Sequence, residues 1–115
     1  MDDSIQLTNA EKDMIRREFM TRFGDAQSVK QGFHLKRWAT GPLKGQPKLV
    51  AAVQSMLDRD LITVIDEGYW PRAMFTDKGL QALKRLAADR RGLDPERHQL
   101  LIDELSQIPE LAIHD

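Results

Sequence analysis

The residues with the clearest chemical potential are bases in a stretch that contains no acid. Residues 26–57 hold five lysines and arginines and no aspartate or glutamate, a formal charge of +5 in a chain whose net charge is −1. Four of these bases are Lys36, Arg37, Lys44 and Lys48. A local positive patch is what contact with phosphates requires, whatever the global charge. The alternative is a solvated basic face, balanced by the acidic residues 94–115.

A helix predicted from Pro47 to Asp60 follows this segment and carries groups that can read bases. At about 100° per residue, its apolar side chains share one arc: Leu49, Val50, Val53, Met56 and Leu57. Lys48, Ala52, Ser55 and Arg59 are expected on the far side, with Gln54 beside them. A helix in a groove contacts bases and phosphates through such side chains, although many solvent-exposed helix faces have the same composition. The predicted DNA-binding residues are Lys36, Arg37, Lys44, Gln46, Lys48, Gln54, Ser55, Arg59 and Arg72.

Catalysis and metal binding have little support in the sequence. The chain has no cysteine, and His34, His98 and His114 are scattered without the spacing of metal ligands. Gly41 does not begin a nucleotide-binding loop, because Gln46 and Pro47 stand where Gly-Lys-Ser/Thr would be required. The sequence therefore predicts a protein that is not an enzyme and that needs no cofactor.

Length and composition indicate one globular domain over residues 1–115. The hydrophobic fraction is 41% and the charged fraction 30%, as in soluble proteins. No apolar run reaches the roughly 20 residues that cross a bilayer, and the acidic start lacks the pattern of a signal peptide. We therefore expect a cytoplasmic protein with no membrane partner.

Local signals delimit the N-terminal half. Residues 1–7 are expected to be flexible, and Thr8 and Glu11 form a capping box for a helix from Asn9 to Phe23. A short strand is a candidate within Gly32–Trp38, where it could pair with a later hairpin. The segment Thr40–Pro47 has two glycines and two prolines, too many for a regular helix.

The C-terminal half alternates strands and helices. Leu61–Ile65 and Trp70–Phe75 are predicted strands joined by the polar turn Asp66–Gly68. Thr76 is expected to cap a helix from Asp77 to Arg91. Asp94 and Pro95 are expected to open the last helix, residues 95–108, followed by a tail at 109–115.

This order predicts an α+β fold: a winged helix-turn-helix with a small antiparallel β-hairpin wing and four to five helices. Leu57-Asp58-Arg59-Asp60-Leu61-Ile62 leading to Phe75-Thr76-Asp77-Lys78-Gly79-x-x-x-Leu83 resembles the winged-helix regulators of the MarR and PadR kind. The resemblance implies a homodimeric DNA-binding transcriptional regulator whose recognition helix and wing contact duplex DNA. Three features depart from it: Asp60 replaces a usual glycine, the wing tip is acidic, and no regular helix precedes the recognition helix.

Two interaction surfaces follow as hypotheses. The broad apolar arc of the last helix is a candidate homodimer interface, with packing on its own domain as an equal alternative; its residues are Leu101, Leu105 and Ile108. Tyr69 and Trp70 are candidates for contact with DNA, although packing against the core or a protein partner is the preferred interpretation for both. A winged-helix module that binds a protein instead of DNA is therefore the alternative function.

Overall fold

The computed structural model describes residues 6–20, 28–89 and 92–108. These residues form four α-helices, one 3-10 turn and one three-stranded antiparallel sheet, which confirms the α+β class. In chain order the elements are α1 (Asn9–Glu18), the 3-10 turn (Val29–Gln31), β1 (Phe33–His34), α2 (Ala51–Asp58), β2 (Ile62–Ile65), β3 (Arg72–Phe75), α3 (Asp77–Ala88) and α4 (Gln99–Gln107). No helix within the described ranges has both the length and the apolar character needed to cross a membrane.

The sheet has the order β1-β3-β2, with β3 in the centre. The predicted hairpin is confirmed: β2 and β3 are antiparallel, with Ile62 opposite Phe75 and Ile65 opposite Arg72. The candidate strand within Gly32–Trp38 is confirmed at its start, where β1 pairs antiparallel with β3. Three sequence segments thus form one sheet, and the paired residues Phe33 and Ala73 are 40 positions apart.

The inner side of the sheet packs into the core around three phenylalanines. The ring centroids of Phe19, Phe33 and Phe75 lie 5.8–6.3 Å from one another, in edge-on or tilted contacts that aromatic rings prefer. Ile62 and Ala73, which alternate with outward residues along their strands, are buried on the same side. The core therefore lies between this side of the sheet and the helices.

Helix α1 begins as predicted and ends earlier. The Thr8 hydroxyl accepts from the Glu11 N–H at 3.2 Å, and the Glu11 carboxylate accepts from the Thr8 N–H at 2.8 Å, which confirms the capping box. The helix stops at Glu18, while Phe23 lies outside the described residues. Leu7 is buried, so the prediction of a flexible segment is wrong at that residue.

Helix α2 is shorter than predicted because its expected first turn is used elsewhere. Pro47 forms an isolated antiparallel bridge with Arg37, and the Lys48 N–H donates to the Lys36 carbonyl at 2.7 Å. This extended backbone cannot also be helical, so the predicted start at Pro47 is wrong and the helix begins at Ala51. Val50, expected in the core, is instead an exposed N-cap residue.

The close contact between the start of α3 and the chain that follows α2 explains the Thr-x-x-Gly motif. Thr76 caps α3 through a 3.0 Å hydrogen bond from the Gly79 N–H. A Cβ added at Gly79 would lie 1.9 Å from the Leu61 carbonyl oxygen, so only glycine fits where α3 passes this close to the chain leading into β2. Asp60 adopts a left-handed conformation with φ +63°, which accounts for the glycine that the resembled families have there.

Helix α4 corrects two predictions. It starts at Gln99, because Asp94 instead caps a turn by accepting from the Glu96 N–H at 2.9 Å. Leu101 and Leu105 are 0% and 2% exposed within the chain's own core. Side chains already buried in one subunit cannot form the surface of a dimer, so their assignment to an interface is wrong; Ile108 is half-buried against the same core.

Candidate nucleic-acid interface

Residues 36–48 form a narrow loop with strand-like pairing between its ends, here called the basic loop. Besides the Arg37–Pro47 bridge, the Trp38 N–H donates to the Gln46 carbonyl at 3.0 Å and the Gly45 N–H donates to the Trp38 carbonyl at 2.9 Å. The expected absence of a regular helix here is confirmed. The Gly- and Pro-rich segment supplies a turn that brings its two ends together.

The basic loop presents its lysines to solvent. Residues opposite one another share a side and successive residues alternate, so the Arg37–Pro47 bridge places Lys36 and Trp38 on the same side as Lys48 and Gln46. All four are exposed. The Lys48 ammonium lies 4.9 Å from the centroid of the Trp38 ring, in a cation–π contact. Lys44 is exposed at the turn, and no ion pair between described residues involves any of the three lysines.

Arg37 has a different role from its neighbours. Its guanidinium donates to the Asp66 carboxylate at 2.6 Å, to the Gly45 carbonyl at 2.7 Å and to the Tyr69 carbonyl at 3.3 Å. These bonds hold the basic loop against the turn between β2 and β3. Its charge is therefore matched within the chain, and the structure does not present Arg37 as a phosphate contact.

Ser55 and Arg59 are also turned inward, against the expectation that they lie on the outer side of α2. The Ser55 hydroxyl donates to the Glu11 carboxylate at 2.7 Å, and Arg59 donates to the same carboxylate and to the Gln6 carbonyl. The Glu11 side chain is completely buried. Helix α2 therefore packs the side that carries Ser55 and Arg59 against α1. Helical periodicity locates the apolar side of a helix, but it does not reveal a second side that makes polar contacts.

The electrostatics of Glu11 follow from these contacts. Burial by itself would raise the pKa of its carboxyl, because the charged form loses water. Hydrogen bonds from Arg59, from the Thr8 N–H and from Ser55, with the positive charge of Arg59, outweigh burial and lower the pKa of Glu11. In the Glu11–Ser55–Arg59 cluster the carboxylate of Glu11 is thus ionised, and its bonds to Ser55 and Arg59 hold α2 against α1.

The remaining predicted contacts are exposed or half-buried. Gln54 lies on the solvent side of α2 and donates to the Asp58 carboxylate at 2.8 Å. Arg72 lies on the outer side of β3, with Nη2 3.4 Å from Nε2 of His34 on β1. The structure thus brings Lys36, Lys48 and Arg72 to one region and leaves Gln54 on a separate helix face.

The turn between β2 and β3 carries two exposed aromatic rings. Tyr69 and Trp70 are 82% and 48% exposed, and their ring centroids lie 4.9 Å apart in an edge-on contact. The prediction of packing against the core is wrong for both rings, whereas a role in binding a partner stays a prediction.

No metal site is visible in the part of the chain that the structure describes, where no three potential ligands cluster. His98 is buried: its Nδ1 accepts from the Asp94 N–H at 3.2 Å and its Nε2 lies 2.9 Å from the Arg16 carbonyl. With Nε2 protonated, this histidine links the end of α1 to the segment before α4. Its contacts assign it a structural role.

Comparisons with protein-family models, with curated proteins and with solved structures found no match to this chain. The resemblance to the MarR and PadR regulators therefore rests on the motifs of the sequence alone.

Proposed function

We propose that this protein binds duplex DNA through the lysines of the basic loop. The observation that carries the proposal is the exposure of Lys36, Lys44 and Lys48 in a segment free of carboxylates, beside a helix and a β-hairpin. Phosphate contacts supply most of the affinity of nonspecific DNA binding and depend on such local charge. The predicted biological role is that of a small transcriptional regulator.

The arrangement of the elements supports a winged-helix interpretation. Helix α2 leads directly into the β2–β3 hairpin, and β3 lies between β2 and the earlier strand β1. A recognition helix followed by a wing would have this order. The basic loop occupies the place of the helix that normally precedes a recognition helix, so phosphate contact by a loop would replace contact by a helix.

Base reading would fall to the solvent side of α2. Gln54 is the polar side chain there that can donate and accept at a base edge. It is held by Asp58, whose carboxylate would be repelled by nearby phosphates. We therefore expect modest sequence preference and a large electrostatic share of the affinity.

A salt titration tests the proposal. Fluorescence anisotropy of a labelled duplex should show affinity that falls with salt, with a slope of log K against log salt of roughly −2.7 for three lysine contacts. Lys44→Ala combined with Lys48→Ala should reduce that slope by about 1.8 and weaken all sequences similarly. Arg85→Ala combined with Arg97→Ala is the matched control, because it removes the same charge from exposed positions elsewhere.

Two results would contradict duplex binding through these lysines. One is the absence of binding at low salt. The other is equal weakening by the lysine pair and the arginine pair, which would indicate only a response to net charge.

Protein binding is the second candidate function, and the exposed Tyr69–Trp70 pair favours it. Exposed aromatic side chains are enriched at the energetic centres of protein interfaces. If this function holds, Tyr69→Ala should abolish recovery of a specific protein from cell extract, and nuclease treatment of the extract should leave that recovery unchanged. Recovery that nuclease abolishes would reject it.

Homodimerisation, implied by the resemblance, stays a separate proposal. Leu100 on α4 is 38% exposed and is the apolar residue of that helix still available to a second subunit. Light scattering should then show a dimer that Leu100→Glu converts to a folded monomer. A monomer at high concentration would exclude it.

A further inference from the structure

The outer side of the sheet forms a second candidate binding surface. Along β1, β2 and β3 the inward residues are buried or packed on the core, whereas His34, Thr63, Ile65, Arg72 and Met74 point outward and are exposed or half-buried. We call this side of the sheet the open face.

The open face continues past the assigned strands into the basic loop. The Leu35 N–H donates to the Pro71 carbonyl at 2.8 Å, so the pairing of β1 with β3 persists by at least one residue. Leu35 is buried, which by alternation places Lys36 outward, and Trp70, which follows the turn between β2 and β3, is also exposed. The Lys48–Lys36 backbone bond then adds the other end of the basic loop as a further edge.

The chemistry of the open face combines aromatic rings with positive charge. Trp38 and Trp70 are the chain's two tryptophans and are 37% and 48% exposed. The same surface carries three basic side chains, those of Lys36, Lys48 and Arg72. None of the outward residues named for this surface carries a carboxylate. The acids nearest in sequence are Asp66 and Glu67, in the turn between β2 and β3, and Asp66 is already paired with Arg37.

We propose that the open face binds single-stranded nucleic acid, with unpaired bases stacked on Trp38 and Trp70 and phosphates contacted by Lys36, Lys48 and Arg72. A base within a duplex has its faces covered by its neighbours, whereas an unpaired base can stack on an exposed ring. Positive charge beside the rings gives the surface a charge complementary to that of the strand. This activity goes beyond duplex binding, since it uses the sheet and does not require α2.

The two tryptophans provide a direct readout. Titrating the intact protein with an oligothymidylate of about 12 nucleotides, within the range that one such surface covers, should quench their fluorescence. Trp38→Phe and Trp70→Phe each leave one reporter, so quenching in both variants would show that both rings stack. Quenching that added salt reverses would match the phosphate contacts.

Substitution separates this surface from the duplex site. Trp38→Ala and Trp70→Ala should each weaken oligothymidylate binding by roughly tenfold, the effect of losing one stacked base. Because Lys36 and Lys48 belong to both proposed sites and the Lys48 ammonium contacts the Trp38 ring, the two sites are separated by Trp70→Ala, in which duplex affinity should be unchanged. Val50→Ala is the matched control, because it removes an exposed apolar side chain that is not part of this surface.

The absence of quenching in the unsubstituted protein would overturn the proposal, as would wild-type oligothymidylate affinity in both alanine variants. A loss of duplex affinity in Trp70→Ala that parallels its loss of single-strand affinity would also overturn it, because that ring would then serve one common site. Failure of duplex binding alone leaves this result intact, since the oligothymidylate titration contains no duplex.

Discussion

The contact between α1 and α2 and the open face of the sheet use basic side chains for opposite purposes. At the α1–α2 contact, Arg59 forms an ion pair with the buried carboxylate of Glu11. On the open face, Lys36 and Lys48 remain exposed, with no ion pair between described residues. The difference teaches that charge counted along a sequence overestimates the charge available to a partner.

Substitutions at contacts between elements inside the protein should alter its stability, whereas substitutions on the open face or the basic loop should alter binding. Gly79→Ala is expected to have the largest effect on stability. Its Cβ would collide with the Leu61 carbonyl, which is backbone and cannot turn aside, so we expect a loss of about 3 kcal/mol. Urea unfolding measures this loss.

Lys78→Ala is the control for that prediction, because it changes the preceding, half-buried helix residue. Its unfolding free energy should match that of the unsubstituted protein. Equal stability of the Gly79→Ala variant would mean that α3 does not approach Leu61 this closely.

Glu11→Gln is expected to cost less, about 2 kcal/mol, because it keeps the shape of the side chain but removes the charge that Arg59 needs. Glu18→Gln removes a carboxylate from an exposed position of the same helix and should have little effect. Chemical unfolding of both variants makes the comparison. If the two substitutions cost the same, the Glu11–Ser55–Arg59 cluster does not stabilise the α1–α2 contact.

The Glu11–Ser55–Arg59 cluster also predicts that stability depends on pH. The folded-state pKa of Glu11 lies below its unfolded-state pKa, so its stabilisation is complete above the unfolded-state pKa and is lost as pH falls through the folded-state pKa. Asp94, whose pKa is lowered by hydrogen bonds from the Glu96 and Arg97 N–H groups, acts in the same direction. Glu11→Gln should therefore flatten the acid side of the stability profile but leave a remainder. An unchanged profile in that variant would contradict the prediction.

Lys44→Ala tests the other side of the comparison and is expected to have the smallest effect on stability, within about 0.5 kcal/mol. Because Lys44 is exposed at the turn of the basic loop, its loss should leave the fold intact while reducing the salt slope of duplex binding by about 0.9. Thermal unfolding and the anisotropy titration measure the two quantities. A large loss of stability would place Lys44 among the structural bases with Arg37.

Features decided by neighbouring residues were predictable from the sequence. The Thr8–Glu11 capping box, the Thr76 cap and the β2–β3 hairpin depend on contacts within a few positions, and the structure has all three. The acid-free stretch that contains the basic loop was also predictable, because the charge of a segment can be counted directly from its residues. Helix boundaries were less predictable, because Pro47 exchanges a helical position for a bridge to Arg37.

Only the tertiary structure decided which bases are available, because their partners lie far away in the sequence. Arg59 meets Glu11 across 48 positions, and Arg37 meets Asp66 across 29. The Glu104 carboxylate likewise accepts from the Val29 N–H at 2.9 Å, 75 positions earlier, a contact that no local pattern signals. The sequence determined by itself where positive charge is concentrated and which local elements flank it. The packing of α1 on α2, and of the basic loop against the turn between β2 and β3, decided which of those charges are neutralised, because such pairings form only when distant segments meet.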